Sequence, residues 1–562
     1  MSEISGGRAV VEYLLENKIK IISGIIGSSF MEIYDALYDT NEIQYINVRH
    51  EANGVALIDG LARYTNRPQA FLSSQAGPGV SNTVSSMAQA MKAFSPVVNI
   101  GGAVSTNLKN MDGFQELNQR ILMQAVTKQV YEAKSISEIP GVLNQAFSTA
   151  ASPRKGPVHI DLPRDILSAS AIFGRMERYT KQTMPNPDPN IIKKIVHLLL
   201  NSKKPAIIVG AGIKNGGDYS TQILLKLAEK LNAPIATSPG HSDCIPSNHK
   251  LYVGVAGPRG LSGLGTELLK KADLILSFSR LGFNTTFFSH ENINKDAKII
   301  QILDDEESLG RYFPNEVSVL GDATTVAEKI LNELKSSQVE SEVMEWTKMF
   351  QDSRSKYLKE RDEEVDYDSS PMVASGIFSE LRKVIPKQTA MTFDVGSLCL
   401  MCNDSMQYYQ SKSCYSPLDF ALMGGSYGLG LGVKLANPSR PVVSFMGDAS
   451  ASMIIPELAT AKENNINTVL CIFQNNIMAA ERAYTRDYFN SRFYGSSIEN
   501  PDFVKVAEAY NCSGFQVRSV NEISEAMEAA FKSEKPSVVV MDVDDKIMMS
   551  FRTDSFKNRK NN

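Results

Sequence analysis

Short apolar runs alternate with helical patterns along most of the chain, and the alternation falls into three blocks of similar size. In the first block, up to about residue 180, residues 19–26, 44–48, 70–73, 96–100 and 158–162 read as strands. Amphipathic stretches separate them, such as 7–16 after the cap candidate Ser5. The proline-rich segment 184–190 reads as a stiff linker. A second block, about 190–345, has strands at 206–209, 234–236, 274–278 and 298–303. The charged stretch 351–368 reads as a connection with a solvated acidic end. The third block, 370–562, has strands at 390–394, 442–446, 468–473 and 537–543, and ends in a polar tail from Lys557 to Asn562. Near-continuous apolar strands separated by helices predict parallel sheets covered on both faces. The expected fold is α/β, with three doubly wound parallel-sheet domains over 1–180, 190–345 and 370–562. Blocks one and three could share a topology, which periodicity does not decide.

Composition narrows the functional classes. The chain has 562 residues, 43% hydrophobic and 21% charged, which excludes a mainly disordered protein. A net charge of −4 with no long Lys/Arg run argues against a dedicated nucleic-acid binder. No apolar run approaches the ~18 residues that would suggest a membrane span, and residues 1–5 lack the pattern of a signal peptide. Six cysteines are too few for a disulfide scaffold, so reduced thiols and a cytoplasmic location are expected. Cys399-x-x-Cys402 stands alone and reads as coincidence. The six histidines show no metal-ligand spacing.

Three strand-end segments carry candidate chemistry. The run Val442-Val-Ser-Phe-Met-Gly447-Asp448-Ala449-Ser450 leads an apolar strand into a small-residue turn and a helix. Asn475 follows at the end of another apolar strand. Ligands collect at the carboxyl ends of parallel strands. Small residues let backbone N–H groups approach phosphate oxygens, and a carboxylate paired with an amide oxygen can hold Mg²⁺ against a diphosphate. The second segment, Val48-Arg49-His50-Glu51, ends a strand and opens a helix, where a carboxylate can equally be a cap. The third, Ser73-Ser-Gln75-Ala-Gly77-Pro78-Gly79-Val-Ser-Asn82, feeds another helix and could be no more than a tight turn.

Together the three segments resemble the thiamine-diphosphate enzyme superfamily, over nearly the whole chain. The resemblance implies a pyrimidine-binding domain, a middle Rossmann-like domain and a diphosphate-binding domain. It implies a site shared between subunits of a homodimer or homotetramer. Glu51 would hydrogen-bond the aminopyrimidine, Met423 would prop the bent cofactor, and the Ala421 carbonyl would accept from its amino nitrogen. Gly77, Gly396, Ser397, Gly447, Ala449 and Ser450 would line the cofactor, with Mg²⁺ on Asp448, Asn475 and the Ile477 carbonyl. Ala449 replaces the commoner glycine of the pattern, as in acetolactate synthases.

Within the superfamily the chain resembles the acetolactate-synthase-like group, and in it most closely the sulfoacetaldehyde acetyltransferases. The resemblance rests on Gly24–Met31, on Gly113-Phe114-Gln115-Glu116, on Ala480-Glu481-Arg482 with Asp487–Phe493 and Asn500-Pro-Asp-Phe503, and on Phe551-Arg552-Thr-Asp554. It implies conversion of sulfoacetaldehyde and phosphate to acetyl phosphate and sulfite. The alternative is a pyruvate decarboxylase/carboligase like acetolactate synthase. Gln115 would face the substrate, and Arg120, Arg482, Arg492 and Arg552 are candidates for its anionic groups. Arg49, Gln75 and Met423 depart from the acetyltransferase pattern beside the thiazolium. Gly210-Ala-Gly212 follows a strand as a dinucleotide loop would, but no acidic ribose partner stands about 20 residues on. FAD is a possible but not an expected cofactor.

Overall fold

A computed structural model of the chain describes residues 3–257, 260–282, 285, 289–334, 341–417 and 420–549. Its frame is three six-stranded sheets, each wholly parallel. In the first unit β1 (Glu3–Ser5) precedes β2 (Ile21–Ile25), β3 (Gln44–Asn47), β4 (Gln69–Ser73), β5 (Val97–Ala103), β6 (Val130–Glu132) and β7 (Val158–Pro163). The sheet order is β3-β2-β4-β5-β7-β6, and β8 (Ser170–Ile172) pairs back antiparallel on β1. The middle unit holds β9 (Pro205–Val209), β10 (Ile235–Thr237), β11 (Tyr252–Val255), β12 (Leu274–Phe278), β13 (Lys298–Leu303) and β14 (Val317–Leu320), in the order β11-β10-β9-β12-β13-β14. The third holds β15 (Ala390–Phe393), β16 (Cys414–Tyr415), β17 (Val442–Gly447), β18 (Val469–Gln474), β19 (Ser513–Val517) and β20 (Ser537–Asp542), in the order β16-β15-β17-β18-β20-β19.

Counted within each unit, the first and third sheets have the same strand order, so the two outer units share one topology. The middle unit instead has the Rossmann order, the first strand central and the chain reversing direction beside it. The central strands β4, β9 and β12 are buried at every position, as expected for parallel sheets covered by helices on both faces.

Two stretches read as connections behave differently. The end of 184–190 starts a helix: Asp188 caps Pro189–Leu200 through its side chain, with proline in the first turn where no N–H is needed. Most of 351–368 continues the 23-residue helix Ser341–Glu363, anchored by buried Trp346 and Phe350 in the middle unit's core. The acidic end that read as solvated starts in the last turn of that helix, at Asp362 and Glu363, and continues past it through Glu364, Asp366 and Asp368.

The outer units share a core. Val55, Leu57, Ile58 and Leu61 pack with Tyr427, Leu431, Met446 and Leu458 in one cluster. The contact is made by helices Glu51–Thr65 and Gly425–Ala436, which touch through glycines. A Cβ on Gly432 would lie 1.8 Å from the Leu57 carbonyl oxygen, and one on Gly60 2.1 Å from that of Leu429. Neither atom is the movable end of a side chain. Gly432→Ala should therefore push the helices apart. Overpacking of this kind costs about 1–3 kcal/mol or more. The expected result is a clear drop in the thermal unfolding midpoint; an unchanged midpoint would mean that the helices can separate freely.

Candidate functional site

The first cluster forms at the carboxyl ends of β3 and β4. His50 has extended backbone and caps the helix Glu51–Thr65, its ring Nδ1 accepting from the Ala52 N–H. Glu51 is thereby released from capping its own helix. Its Oε2 accepts from Asn82 Nδ2 at 2.9 Å, so one carboxylate oxygen is oriented by the loop that follows Gly77 and Gly79. Glu51 Oε1 lies 3.8 Å from where a Cβ on Gly79 would stand, beside the Cβ of Gln75.

Gly77 sits at φ +69°, and a Cβ there would meet the Gln115 carbonyl at 2.5 Å, so only glycine suits both the backbone and the approach. Its N–H donates to Gln119 Oε1 at 2.7 Å, and Gln119 Nε2 donates to Asp161 Oδ1 at 2.5 Å, which also meets the buried His159. Gln115 has φ +63°, an uncommon conformation for a residue other than glycine. Its Oε1 accepts from Gln75 Nε2, while Gln75 Oε1 accepts from the Ser28 N–H at 2.9 Å. Glu51, Gln75, Gly77 and Gln115 thus meet in one place, and Phe114, next to Gln115 in the chain, is exposed.

The second cluster forms at the ends of β15, β17 and β18. Asp448 is buried at the start of helix Asp448–Ile454. Its Oδ2 accepts from the N–H groups of Asn475 and Asn476 at 3.0 and 2.7 Å and from Asn500 Nδ2 at 2.9 Å. Among the described residues Oδ1 takes one donor, the Ala449 N–H at 2.9 Å. Burial raises the Asp448 pKa, and the N–H donors work against that rise. Asn475 Oδ1 has only a long contact, 3.4 Å, from the Ile477 N–H. Among the described residues no group of three or more His, Cys, Asp or Glu is placed to hold a metal. The proposed donor set has one carboxylate, one amide oxygen and one main-chain carbonyl, which suits a cation that also binds phosphate oxygens.

Gly396 and Gly447 fit a diphosphate. A Cβ on either would meet nothing within 4 Å, so both main chains border open space, and Gly396 at φ +107° adopts a conformation that favours glycine. Ser450 is buried in the same turn. The Ser397 hydroxyl is engaged elsewhere, with the main chain of Met549, so at this residue the backbone rather than the hydroxyl faces the cradle.

Asp394, which sequence reasoning placed only as a strand end, organises the loop carrying Ala421 and Met423. Its carboxylate accepts from the N–H groups of Gly424 and Ser426 at 3.1 and 3.3 Å, and burial pushes its pKa up to about 6. Ala421 is exposed at φ +57° and Met423 is half-buried, outside the described core clusters. Asn82 and Asn500 also escaped the sequence reading as functional partners. Both lay within recognised segments, but nothing there marked Asn82 as a Glu51 partner or Asn500 as an Asp448 partner.

The candidate arginines differ. Arg482 stacks on Phe493 at 4.6 Å and pairs with Asp545 at 3.7 Å. Arg120 and Arg492 are exposed. Arg552, with the rest of Phe551–Asp554, lies outside the described residues. Cys399 and Cys402 are buried on one helix with pKa values raised by desolvation, the opposite of a reactive thiol pair.

A cavity of about 380 Å³ lies between the first and middle units, away from both clusters. Gly212, Arg154, Lys155, Arg280, Asp304 and Asp322 are among its lining residues. Burial lowers the Lys155 pKa to about 8. Asp304 and Asp322 follow β13 and β14. No described helix is long and apolar enough to cross a membrane.

Models of the thiamine pyrophosphate enzyme match each unit: the N-terminal TPP binding domain at residues 4–122, the central domain at 192–330 and the C-terminal TPP binding domain at 394–541. A probable acetolactate synthase large subunit of Methanocaldococcus jannaschii is 29% identical over 558 residues, 96% of this chain and 92% of that protein. The acetolactate synthase large subunit of Haemophilus influenzae is 29% identical over 552 residues, covering 97% and 95% of the two chains. A sulfoacetaldehyde acetyltransferase of Alcaligenes xylosoxydans xylosoxydans is 28% identical over 559 residues, covering 94% and 90%.

Proposed function

The chain belongs to the thiamine pyrophosphate enzymes, and from that premise we propose that it transfers an acetyl unit from a small anionic aldehyde, sulfoacetaldehyde, to inorganic phosphate. The observation that carries the placement of chemistry is the meeting of Glu51, Gln75 and Gln115 beside the Gly77 turn. When bound, thiamine diphosphate supplies the nucleophilic carbon and electron sink that no side chain offers.

The chain's residues would divide the remaining work. Asp448, Asn475 and the Ile477 carbonyl would hold Mg²⁺, with the diphosphate against Gly396 and Gly447. Glu51 Oε1, with Oε2 held by Asn82, is free to share a proton with a pyrimidine nitrogen. The Ala421 carbonyl would accept from the amino group, and Met423 would press the rings together. Gln115 would donate to a substrate oxygen: its Oε1 is taken by Gln75, so its amide N–H₂ is turned outward as a neutral donor. Arg482 and Arg492 would supply charge for sulfonate or phosphate. Exposed Phe114 beside Gln115 in the chain, and exposed Met453 and Tyr494 in the third unit, support closure of the site by a second copy.

Gln115→Ala should preserve cofactor affinity and lower kcat/KM by at least about tenfold, equivalent to about 1.4 kcal/mol of transition-state stabilisation. If sulfite release and acetyl phosphate formation fall together, the residue acts before sulfite leaves. A fall in the second alone would move it to the phosphate step.

A second reading, acetolactate synthase-like carboligation of pyruvate, is supported by the cavity between the first and middle units, whose Arg154, Lys155 and Arg280 could meet phosphates and whose Asp304 and Asp322 could meet a ribose, as a nucleotide such as FAD would need. Sulfoacetaldehyde with phosphate, pyruvate, and glyoxylate should be assayed for acetyl phosphate, sulfite and CO₂. Acetyl phosphate with sulfite supports the first reading. Release of CO₂ from pyruvate by a yellow protein supports the second.

A further inference from the structure

We propose that Glu457 is a positioning residue that sets the aim of Glu51. Glu457 opens the helix Glu457–Glu463 of the third unit and is 1% exposed. Its Oε1 accepts from the Arg49 N–H at 3.0 Å, the His50 N–H at 3.1 Å and Asn53 Nδ2 at 3.2 Å. These donors bracket Glu51 in the sequence. Oε2 accepts from Thr460 Oγ1 at 2.6 Å, and the same hydroxyl lies 3.3 Å from the Asn47 carbonyl. The Arg49 guanidinium pairs with Glu463 one turn further on. One face of this helix therefore grips the turn between β3 and the helix that begins at Glu51.

The grip has a physical purpose. N–H groups just ahead of a helix have no partner within it, and a buried carboxylate is tolerated only when hydrogen-bonded. Glu457 and the Arg49–His50 turn satisfy each other across the boundary between two units. Desolvation raises the Glu457 pKa while all four donors oppose the rise. Rotation of the turn would swing the Glu51 carboxylate, and a shift of about 1 Å in a catalytic group can cost about 10²-fold in rate. The preceding helix starts at Asp448, so the element that aims Glu51 is continuous with the proposed metal-side turn.

The inference rests on the role given to Glu51. It can be tested with two variants and two readouts. In Glu457→Gln the amide oxygen can keep the three Oε1 bonds, while Thr460 turns its hydroxyl to Asn47 and accepts from the amide. Glu457→Ala removes all four acceptor contacts. Amide hydrogen exchange of the protein without cofactor should speed at least about tenfold across residues 47–53 in Glu457→Ala and stay near wild type in Glu457→Gln. In the holoenzyme, deuterium exchange at the cofactor's acidic ring carbon should slow by about 10–10²-fold in Glu457→Ala, with substrate KM within about twofold, and recover in Glu457→Gln. Unchanged exchange in Glu457→Ala, or equal loss in both variants, would overturn the proposal. If Glu457→Ala does not fold, Glu457→Asp, which keeps the charge but shortens the reach, carries the same expectation. If Glu51→Gln itself leaves cofactor exchange unchanged, the assignment of Glu51 fails and this inference with it; if only Glu457→Ala is without effect, the positioning role alone fails.

Discussion

Glu51→Gln should leave a folded protein that turns over about 10²–10⁴-fold more slowly at saturating cofactor, the range typical of lost acid–base catalysis. Three features of the site make the loss chemical rather than structural. His50, not Glu51, supplies the side-chain cap of the helix, so the cap survives the substitution. Asn82 can still meet the oxygen of a glutamine. Glutamine has nearly the same shape and volume as glutamate, so no core packing is lost. The unfolding midpoint should move little, because the helix-terminal charge contributes only about 0.3–1 kcal/mol. What glutamine lacks is an oxygen able to take a proton. Retention of more than about half of wild-type kcat would show that Glu51 is a terminus residue and nothing else.

Asp448→Ala should abolish detectable binding of thiamine diphosphate at millimolar Mg²⁺, and Asn475→Ala should weaken it by a smaller factor, about 10–10²-fold, on the scale seen when support around a metal is removed. The asymmetry follows from the hydrogen bonds. Asn475 contributes one oxygen. Asp448 contributes an oxygen and also collects the N–H groups of Ala449, Asn475 and Asn476 and the amide of Asn500. Its loss both removes a ligand and frees the turn carrying the others. Calorimetric titration checks the order. Equal affinities in both variants and wild type would put the diphosphate elsewhere.

The sequence disclosed the central strands, and most of what it hid lies at edges. Strands β4, β9, β12, β17 and β18 are mostly apolar runs, because parallel strands buried on both faces leave no room for alternation. Seven described strands went unread: β1 and β8, which form the small antiparallel pair, and β6, β11, β14, β16 and β19, which lie at edges of the six-stranded sheets. They are short or half-exposed, so their patterns resemble loops. Asp448 and Asn475 were legible because each directly follows a strong apolar strand, and Glu51 because Arg49-His50-Glu51 stands between a strand and a helix start. Glu457 was not: its partners Arg49 and His50 are more than 400 residues away in the chain, and a glutamate at a helix start looks like any other. Asp394 was hidden for the opposite reason, since its partners are main-chain N–H groups that carry no residue signature. The glycine contact between Gly60 and Gly432 likewise exists only once two helices from distant units meet.

The most direct test of the central claim is the rate at which bound thiamine diphosphate exchanges its acidic ring proton for deuterium, in the wild-type protein and in Glu51→Gln, without substrate. The expected result is exchange about 10²–10⁴-fold faster on the wild-type protein than for free cofactor at the same pH, falling in Glu51→Gln towards the free rate. Exchange on the wild-type protein no faster than in solution, or unaffected by Glu51→Gln, would contradict it.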